Sequence, residues 1–512
     1  MVNIVLVHPY ITVRNPETYL SEPLGLICLA SYLKQVFGEE INVAILDLYA
    51  MGGHKPRREG DMYVRGMDDE RQILSEIKKM NPDLVGITCC FTGYIDDALK
   101  VAAIIKKADA TVPVVMGGAH VTLEAESILR NNQCVDFVVR NEGEITLEQL
   151  VRSIRGEVAI QSINGLCFRA SNQEVVVNPP RELIKDLDML PIPDRKLIDM
   201  EHYKRSNSLA FNFSRKSPIA TIMTSRGCPY ECVFCCTKNI WKRKWRPRSL
   251  SHVFREIEML VSDYGIREIL ILDDQFILHK ERIDDFCNYF IQRKLKIAFS
   301  NIAGVSAWLA DDEEILVKMR QAGFYKITLP IESGNTATLK FIRKPINLVQ
   351  VSKLINKANE LGYWTGGFFI IGFPYETREQ IRETIQFAYN SKLDFAHFFV
   401  AQPYLGTELY EVYKKEKLLG EGIIPGTFIF QGWHDTTTMT AGEINEIQLR
   451  ASRGWLAHKF FFYLKPKNFK KDLLPKFKTK DDFLYSLGVF MMLLFRNLMP
   501  VFKRTLERKI DK

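Results

Sequence analysis

The chain carries no basic stretch ahead of its first apolar run. MVNIVLVHPY opens directly on β-branched residues and reads as a first strand, not a secretory signal. Nor do residues 483–495, almost entirely apolar, reach the about 20 residues that a bilayer span takes. Low-complexity and repetitive segments are lacking, and 46% hydrophobic with 25% charged residues is ordinary for a chain that buries large cores. At 512 residues, and about 150 per domain, three or four domains are expected. Ten cysteines without a secretory signal argue for metal or redox chemistry rather than a disulfide framework. Positive charge is also missing from most of the length. The net +8 is concentrated in residues 455–512, with 14 Lys+Arg against 5 Asp+Glu, which leaves the body near neutral. That argues against a nucleic-acid enzyme with a basic working face.

What is present is alternation. Strand patterns near 3–7, 42–46, 84–88, 113–116 and 135–139 alternate with helical patterns near 24–37, 69–80, 94–107, 123–131 and 145–154. This predicts a parallel, doubly wound α/β sheet over residues 1–155, with its ligand site at the carboxyl ends of the strands. Residues 156–215 read as a hairpin followed by a Pro-rich linker. From 216 to 402 six further strand patterns, near 219–224, 268–272, 296–301, 326–331, 366–371 and 396–400, predict a partial (β/α)6 barrel with chemistry at the strand mouths. Residues 403–512 read as a helical C-terminal region with a basic, aromatic tail.

The first barrel strand is followed by Cys228, Cys232 and Cys235, with Phe234 before the last and Cys236 after it. Three thiolates on a four-iron cluster leave one iron open to an exogenous ligand. A structural zinc knot would need four protein ligands in a closed site, and Cys236 beside Cys235 is badly placed as the fourth. Cys236 is expected to be a small buried packing residue.

This spacing resembles the radical S-adenosylmethionine superfamily. The resemblance implies that Cys228, Cys232 and Cys235 hold a [4Fe-4S] cluster, and that its open iron chelates S-adenosylmethionine for reductive cleavage to a 5′-deoxyadenosyl radical. It places Phe234 near the adenine. It also assigns Asp273 and Asp274 after the second barrel strand, Glu332 and Ser333 after the fourth, and Gly372 after the fifth to S-adenosylmethionine contacts. The basic stretch 241–248, with two tryptophans, is expected to neutralise the thiolates and the S-adenosylmethionine carboxylate rather than to bind nucleic acid. Relatives that modify RNA would need three more cysteines in the first domain; Cys28, Cys89, Cys90 and Cys134 are spaced like packing residues instead.

A doubly wound domain ahead of such a barrel resembles the cobalamin-binding branch of the superfamily, which includes anaerobic magnesium-protoporphyrin monomethyl ester cyclases and C-methyltransferases. The match rests on His8-Pro-Tyr, on Pro23-Leu-Gly-Leu26, on Gly117-Gly118-Ala-His120 and on Asn141-Glu142-Gly143-Glu144. The branch implies cobalamin contacts at Thr88, Gly117, Gly118, His120, Glu142 and Gly143, with His120 either touching the cofactor or capping the next helix. One feature departs from other cobalamin proteins. The D-x-H-x-x-G motif, whose histidine ligates cobalt, is absent: Asp47-Leu-Tyr49 has tyrosine at the histidine place, and His54 lies further on. A base-off cobalamin without a histidine ligand is therefore expected.

The tail holds eight lysines among six aromatic residues between 459 and 480, ahead of the apolar stretch. Such a segment suits either interfacial binding to anionic lipid or a helix packed on the barrel with a solvated lysine face. The resemblance and the tail together predict a cytoplasmic enzyme, with the inner face of the membrane as the alternative setting. Its partners would be a hydrophobic substrate and an electron donor such as flavodoxin or ferredoxin. The leading expectation is methyl transfer to an unactivated carbon. Oxidative cyclisation or hydroxylation of a ring stands second, and a non-catalytic cobalamin or redox sensor third.

Overall fold

The computed structural model describes residues 1–14, 22–53, 56–204, 208–209, 212–301, 304, 306–420, 432–489 and 491. His54 and the end of the tail from 492 lie outside the described residues. The chain divides into two compact units. One is formed by Met1–Ala210 with Cys236–Tyr264; the other by Phe211–Cys235, Gly265–Ile423 and the C-terminal part from Phe428.

In the first unit β1 (Val2–His8), β2 (Ile41–Asp47), β3 (Leu84–Thr88), β4 (Val114–Gly117) and β5 (Phe137–Val139) are parallel, and β6 (Leu166–Arg169) and β7 (Val175–Val177) extend the sheet antiparallel. Their order is β7-β6-β5-β4-β3-β1-β2. Helices α1 (Leu24–Phe37), α2 (Glu70–Met80), α3 (Ile95–Ala108), α4 (Ala119–Leu123), α5 (Ala125–Asn131) and α6 (Glu144–Ile154) make the crossovers. The strands are near-continuous Val/Ile/Leu runs because helices cover both faces, and two buried clusters form, one on Val5, Val7 and Ile87, the other on Ile4, Leu6 and Leu84.

The hairpin at 163–177 does not stand apart from this sheet. It pairs with β5 and covers what would be an open edge. The Pro-rich segment is likewise no free tether. Arg195 is fully buried in it, with Nε 3.1 Å from Glu22 and Nη1 2.8 Å from Glu256 of α7 (Leu250–Tyr264).

The second unit holds six parallel strands in two triplets: β8 (Ile219–Ile222), β9 (Glu268–Ile271) and β10 (Ala298–Asn301), then β11 (Lys326–Glu332), β12 (Trp364–Ile371) and β13 (Phe395–Val400). A parallel bridge, Phe299 to Phe324, lies between the triplets. All six fall within two residues of the expected positions.

The tail departs from expectation. In α8 (Ala441–Leu464) Trp455, Lys459 and Tyr463 recur at helical spacing on one buried face. Lys459 is 1% exposed, its ammonium 4.4 Å from the Phe462 ring centroid and 5.2 Å from that of Trp455. Lys476 is buried too, donating to Asp394 Oδ2 (2.6 Å), Asn359 Oδ1 (2.7 Å) and the Tyr363 carbonyl (2.7 Å). These lysines, read as a solvated or lipid-facing stripe, instead tie the tail to the amino ends of β12 and β13. Asp394, with Tyr463 donating to its other oxygen, supplies the opposite charge that makes the burial of Lys476 tolerable. Among the described residues no helix is long and apolar enough to cross a membrane.

Candidate functional site

The turn between β8 and the cysteine loop is built by Asp273, at the carboxyl end of β9. Its fully buried carboxylate accepts from Thr224 N, Thr224 Oγ1 and Ser225 Oγ, each at 2.6 Å. Asp274 accepts from Gly227 N at 3.3 Å, next to Cys228. Further along, Val233 is pinned on both sides: its N–H donates to the Ile342 carbonyl (3.2 Å) and its carbonyl accepts from Leu409 N (3.0 Å). Phe234 packs 6.1 Å from Phe373, the residue after Gly372. Segments that follow β9, β11, β12 and β13 thus hold one loop in place.

The sulfurs on that loop are close enough to act on one another. Burial pushes the Cys228 thiol up to about 11, and Cys235, Asp274 and Cys232 add to the rise. Burial also raises Cys232, against the pull of Lys344. Among the described residues no three ligands converge on a single metal ion. A four-iron cluster asks for something else, one thiolate per iron around a larger body. Binding it would displace the thiol protons that burial otherwise retains. The donor set fits such a cluster. Cys236 is half-buried at the start of the helix Thr237–Trp241, not the buried packing residue expected, because a short helix begins there.

Glu332 ends β11 with φ of +66°, in the left-handed region, and is largely buried. Lys344 Nζ sits 3.0 Å from its Oε1, and this ammonium also feels Cys232 and Cys235. Lys344 is the residue that sequence reasoning passed over. Its only signal was the basic Arg343-Lys344-Pro345 turn after the helix that follows the Pro330–Gly334 segment. Ser333 is fully buried, bonded to Thr384 Oγ1 (2.8 Å) and to Asn335 N (3.1 Å), and its role here is to shape the turn. Gly372 has φ of +82°, and a Cβ there would meet Ile444 at 2.9 Å. Its N–H donates to Glu376 Oε2 at 2.7 Å. Beside these residues lies a cavity of about 270 Å³ lined by Phe234, Glu332, Phe368, Ile370, Phe399 and Tyr404, with mostly apolar walls.

In the first unit the strand order puts the switch point between β1 and β3. Thr88 ends β3 and Gly117 ends β4, paired side by side. A Cβ on Gly117 would meet nothing nearer than Val139 at 3.8 Å, so the space over these strand ends is open to a bulky ligand, and the site fits cobalamin there. Gly118 (φ +123°) answers to the protein itself, since a Cβ would lie 2.4 Å from the Cys89 carbonyl oxygen.

His120 is buried, its Nδ1 3.1 Å from Thr92 Oγ1, and burial lowers its pKa to about 4. It caps no helix: it lies inside α4, which has no side-chain cap. Glu142 is engaged structurally. Its buried carboxylate holds Arg246 at 2.9 Å and accepts from Ile184 N at 2.8 Å. Gly143 opens α6 against the Leu29 side chain. Arg246 and Arg248 do not serve the thiolates as expected. They pair through Nη1 with the buried carboxylates of Glu142 and Glu256. Cys90 is exposed and Cys28 and Cys134 are half-buried, so of the four cysteines read as packing residues only Cys89 is fully enclosed.

Comparison with known proteins follows the same division. Residues 18–151 match the B12 binding domain and residues 222–388 the Radical SAM superfamily. An uncharacterized methyltransferase of Pyrococcus horikoshii is 34% identical over 463 residues, covering 88% of this chain and 90% of that one. The chain belongs to the cobalamin-binding radical S-adenosylmethionine enzymes. The cytidylyl-2-hydroxyethylphosphonate methyltransferase of Streptomyces wedmorensis is 30% identical, over 79% of this chain and 80% of its own. Among solved structures, the cobalamin-dependent radical enzyme OxsB with aqua-cobalamin and S-adenosylmethionine bound shares the fold. Its TM-score is 0.68 at 17% identity, covering 99% of this chain and 81% of the other. The cofactors of this radical enzyme are thus a [4Fe-4S] cluster, S-adenosylmethionine and cobalamin, and it acts on a small molecule with an external reductant.

Proposed function

We propose that this enzyme transfers a methyl group to an unactivated carbon of a hydrophobic small molecule. When bound, the cofactors supply a carbon-centred radical able to take hydrogen from such a carbon, and a methyl group to replace it. Cys228, Cys232 and Cys235 would hold the cluster, with Asp274 fixing the loop at Gly227. Phe234 would flank the adenine, Glu332 would bond the ribose or amino group, and Lys344 would balance the carboxylate of S-adenosylmethionine. At the cobalamin site Thr88, Gly117 and Gly118 would border the corrin's tail. The observation that supports the substrate class is the apolar wall of Phe368, Ile370 and Phe399 in a cavity whose polar lining is limited to Glu332, Gln402 and Tyr404.

Anaerobic turnover with candidate lipids, isoprenoids and porphyrins tests the reading. S-adenosylhomocysteine and 5′-deoxyadenosine formed together support it. 5′-Deoxyadenosine alone turns it into oxidative cyclisation, and neither product with any substrate turns it into a sensor. The donor would be a flavodoxin or ferredoxin, in a cytoplasmic setting.

The exposed Phe461, Leu464, Phe483, Leu484 and Leu487 near the lysines support peripheral contact with anionic membrane. Phe461→Asp with Leu484→Asp should then move the protein from the vesicle pellet to the supernatant. Unchanged partitioning would remove the membrane from the account.

A further inference from the structure

The sequence places tyrosine, not histidine, two residues after Asp47, yet the fold returns an imidazole to that carboxylate. β1 and β2 pair in parallel with His8 opposite Asp47, at the carboxyl ends of both strands. His8 Nδ1 lies 3.0 Å from Asp47 Oδ1, which also accepts from Ala50 N at 3.2 Å. The phenol of Tyr203 donates to Asp47 Oδ2. The Tyr49 ring, 4.9 Å from the imidazole centroid, packs beside it. Imidazole, carboxylate and phenol form a chain whose last member comes from the segment after the hairpin.

We propose that His8 is the axial cobalt ligand of this enzyme, bonding through Nε2. A carboxylate on Nδ1 fixes the N–H there and leaves the Nε2 lone pair available, which is how metal-binding imidazoles are commonly oriented. Among the described residues Nε2 has no hydrogen-bond partner, and the side chain keeps 20% of its surface exposed. Its position suits the role, because β1 borders the switch point where the ligand crevice opens. The other described histidines of this unit are differently placed. His120 is buried against Thr92, His252 lies on α7 beside Asp188, and His202 is beside Asp199 outside the sheet. The inference rests on cobalamin binding and is independent of methyl transfer.

The test uses the full-length protein with its oxidised, EPR-silent cluster, loaded anaerobically with cob(II)alamin to a stoichiometry measured by absorbance. In the electron paramagnetic resonance spectrum each cobalt line should split into a triplet from one axial nitrogen. Labelling the protein with ¹⁵N-histidine should turn the triplet into a doublet. His8→Gln should bind cobalamin and lose the splitting. Unsplit lines in the native protein, or a triplet that ignores the label and so comes from the cofactor's own base, would overturn the assignment. Because the labelling arm uses the unaltered chain, a variant that fails to fold leaves the test intact. Methylation products, assayed separately, report on the proposed function and not on this ligand.

Discussion

At Lys344 the chain sets an ammonium 3.0 Å from Glu332 and within reach of Cys232 and Cys235. Removing it leaves a largely buried carboxylate without its cation, so Lys344→Met should destabilise by about 2 kcal/mol. It should also slow S-adenosylmethionine cleavage by at least tenfold, or about 1.4 kcal/mol in barrier, as product formation per cluster would show. Cleavage at the native rate would reduce the lysine to a structural ion pair. Glu376 offers a pH reading. Burial pushes its carboxyl from 4.5 up to about 7, against bonds from Gly372, Phe373 and Thr338. The folded protein therefore keeps a proton that the unfolded chain gives up, and stability falls as pH rises through that window. Glu376→Gln has no such fall, so its stability relative to the native chain should improve from about pH 5 to about pH 7, by at most about 3 kcal/mol in denaturant unfolding. A constant gap would show that Glu376 stays ionised. Lys344 was not legible in the sequence, where it is one lysine among many, and the raised pKa of Glu376 was not either, because only the fold reveals what the two residues face.

Among the elements, strands and helices were the most legible, because buried parallel strands need unbroken apolar runs and their crossovers need amphipathic periodicity. Helix α1 falls at Leu24–Phe37, the bounds its periodicity gives. The tail was least legible. Lys459 and Lys476 read as surface charge, and nothing local tells that Asp394, 82 residues from Lys476 in the chain, will meet its ammonium. If that pairing holds the tail to β12 and β13, Lys476→Met should cost about 3–5 kcal/mol by stranding Asp394, whereas Phe461→Ser, on the exposed face, should stay within about 0.5 kcal/mol. Equal effects in thermal unfolding would contradict the buried lysine. The same packing means that cutting the chain near residue 456 would remove barrel core, so point substitutions are the sound probe of the tail's surface.

For the whole molecule, the spacing of Cys228, Cys232 and Cys235 was legible because it lies in one short stretch of chain. A pairing assembled from distant strands, as between His8 and Asp47, 39 residues apart, was not. Glu142 and Ser333 stand in matched motifs, and only the structure shows which neighbours their side chains bond. The account depends on a cluster with one iron free of protein donors. Anaerobic reconstitution followed by iron, sulfide and zinc analysis and reductive cleavage of S-adenosylmethionine tests this most directly. The account predicts four irons per chain, cleavage to 5′-deoxyadenosine on reduction, and loss of that cleavage in Cys232→Ala while cobalamin still binds. A bound zinc ion without iron–sulfur absorption, or cleavage that survives Cys232→Ala, would contradict it.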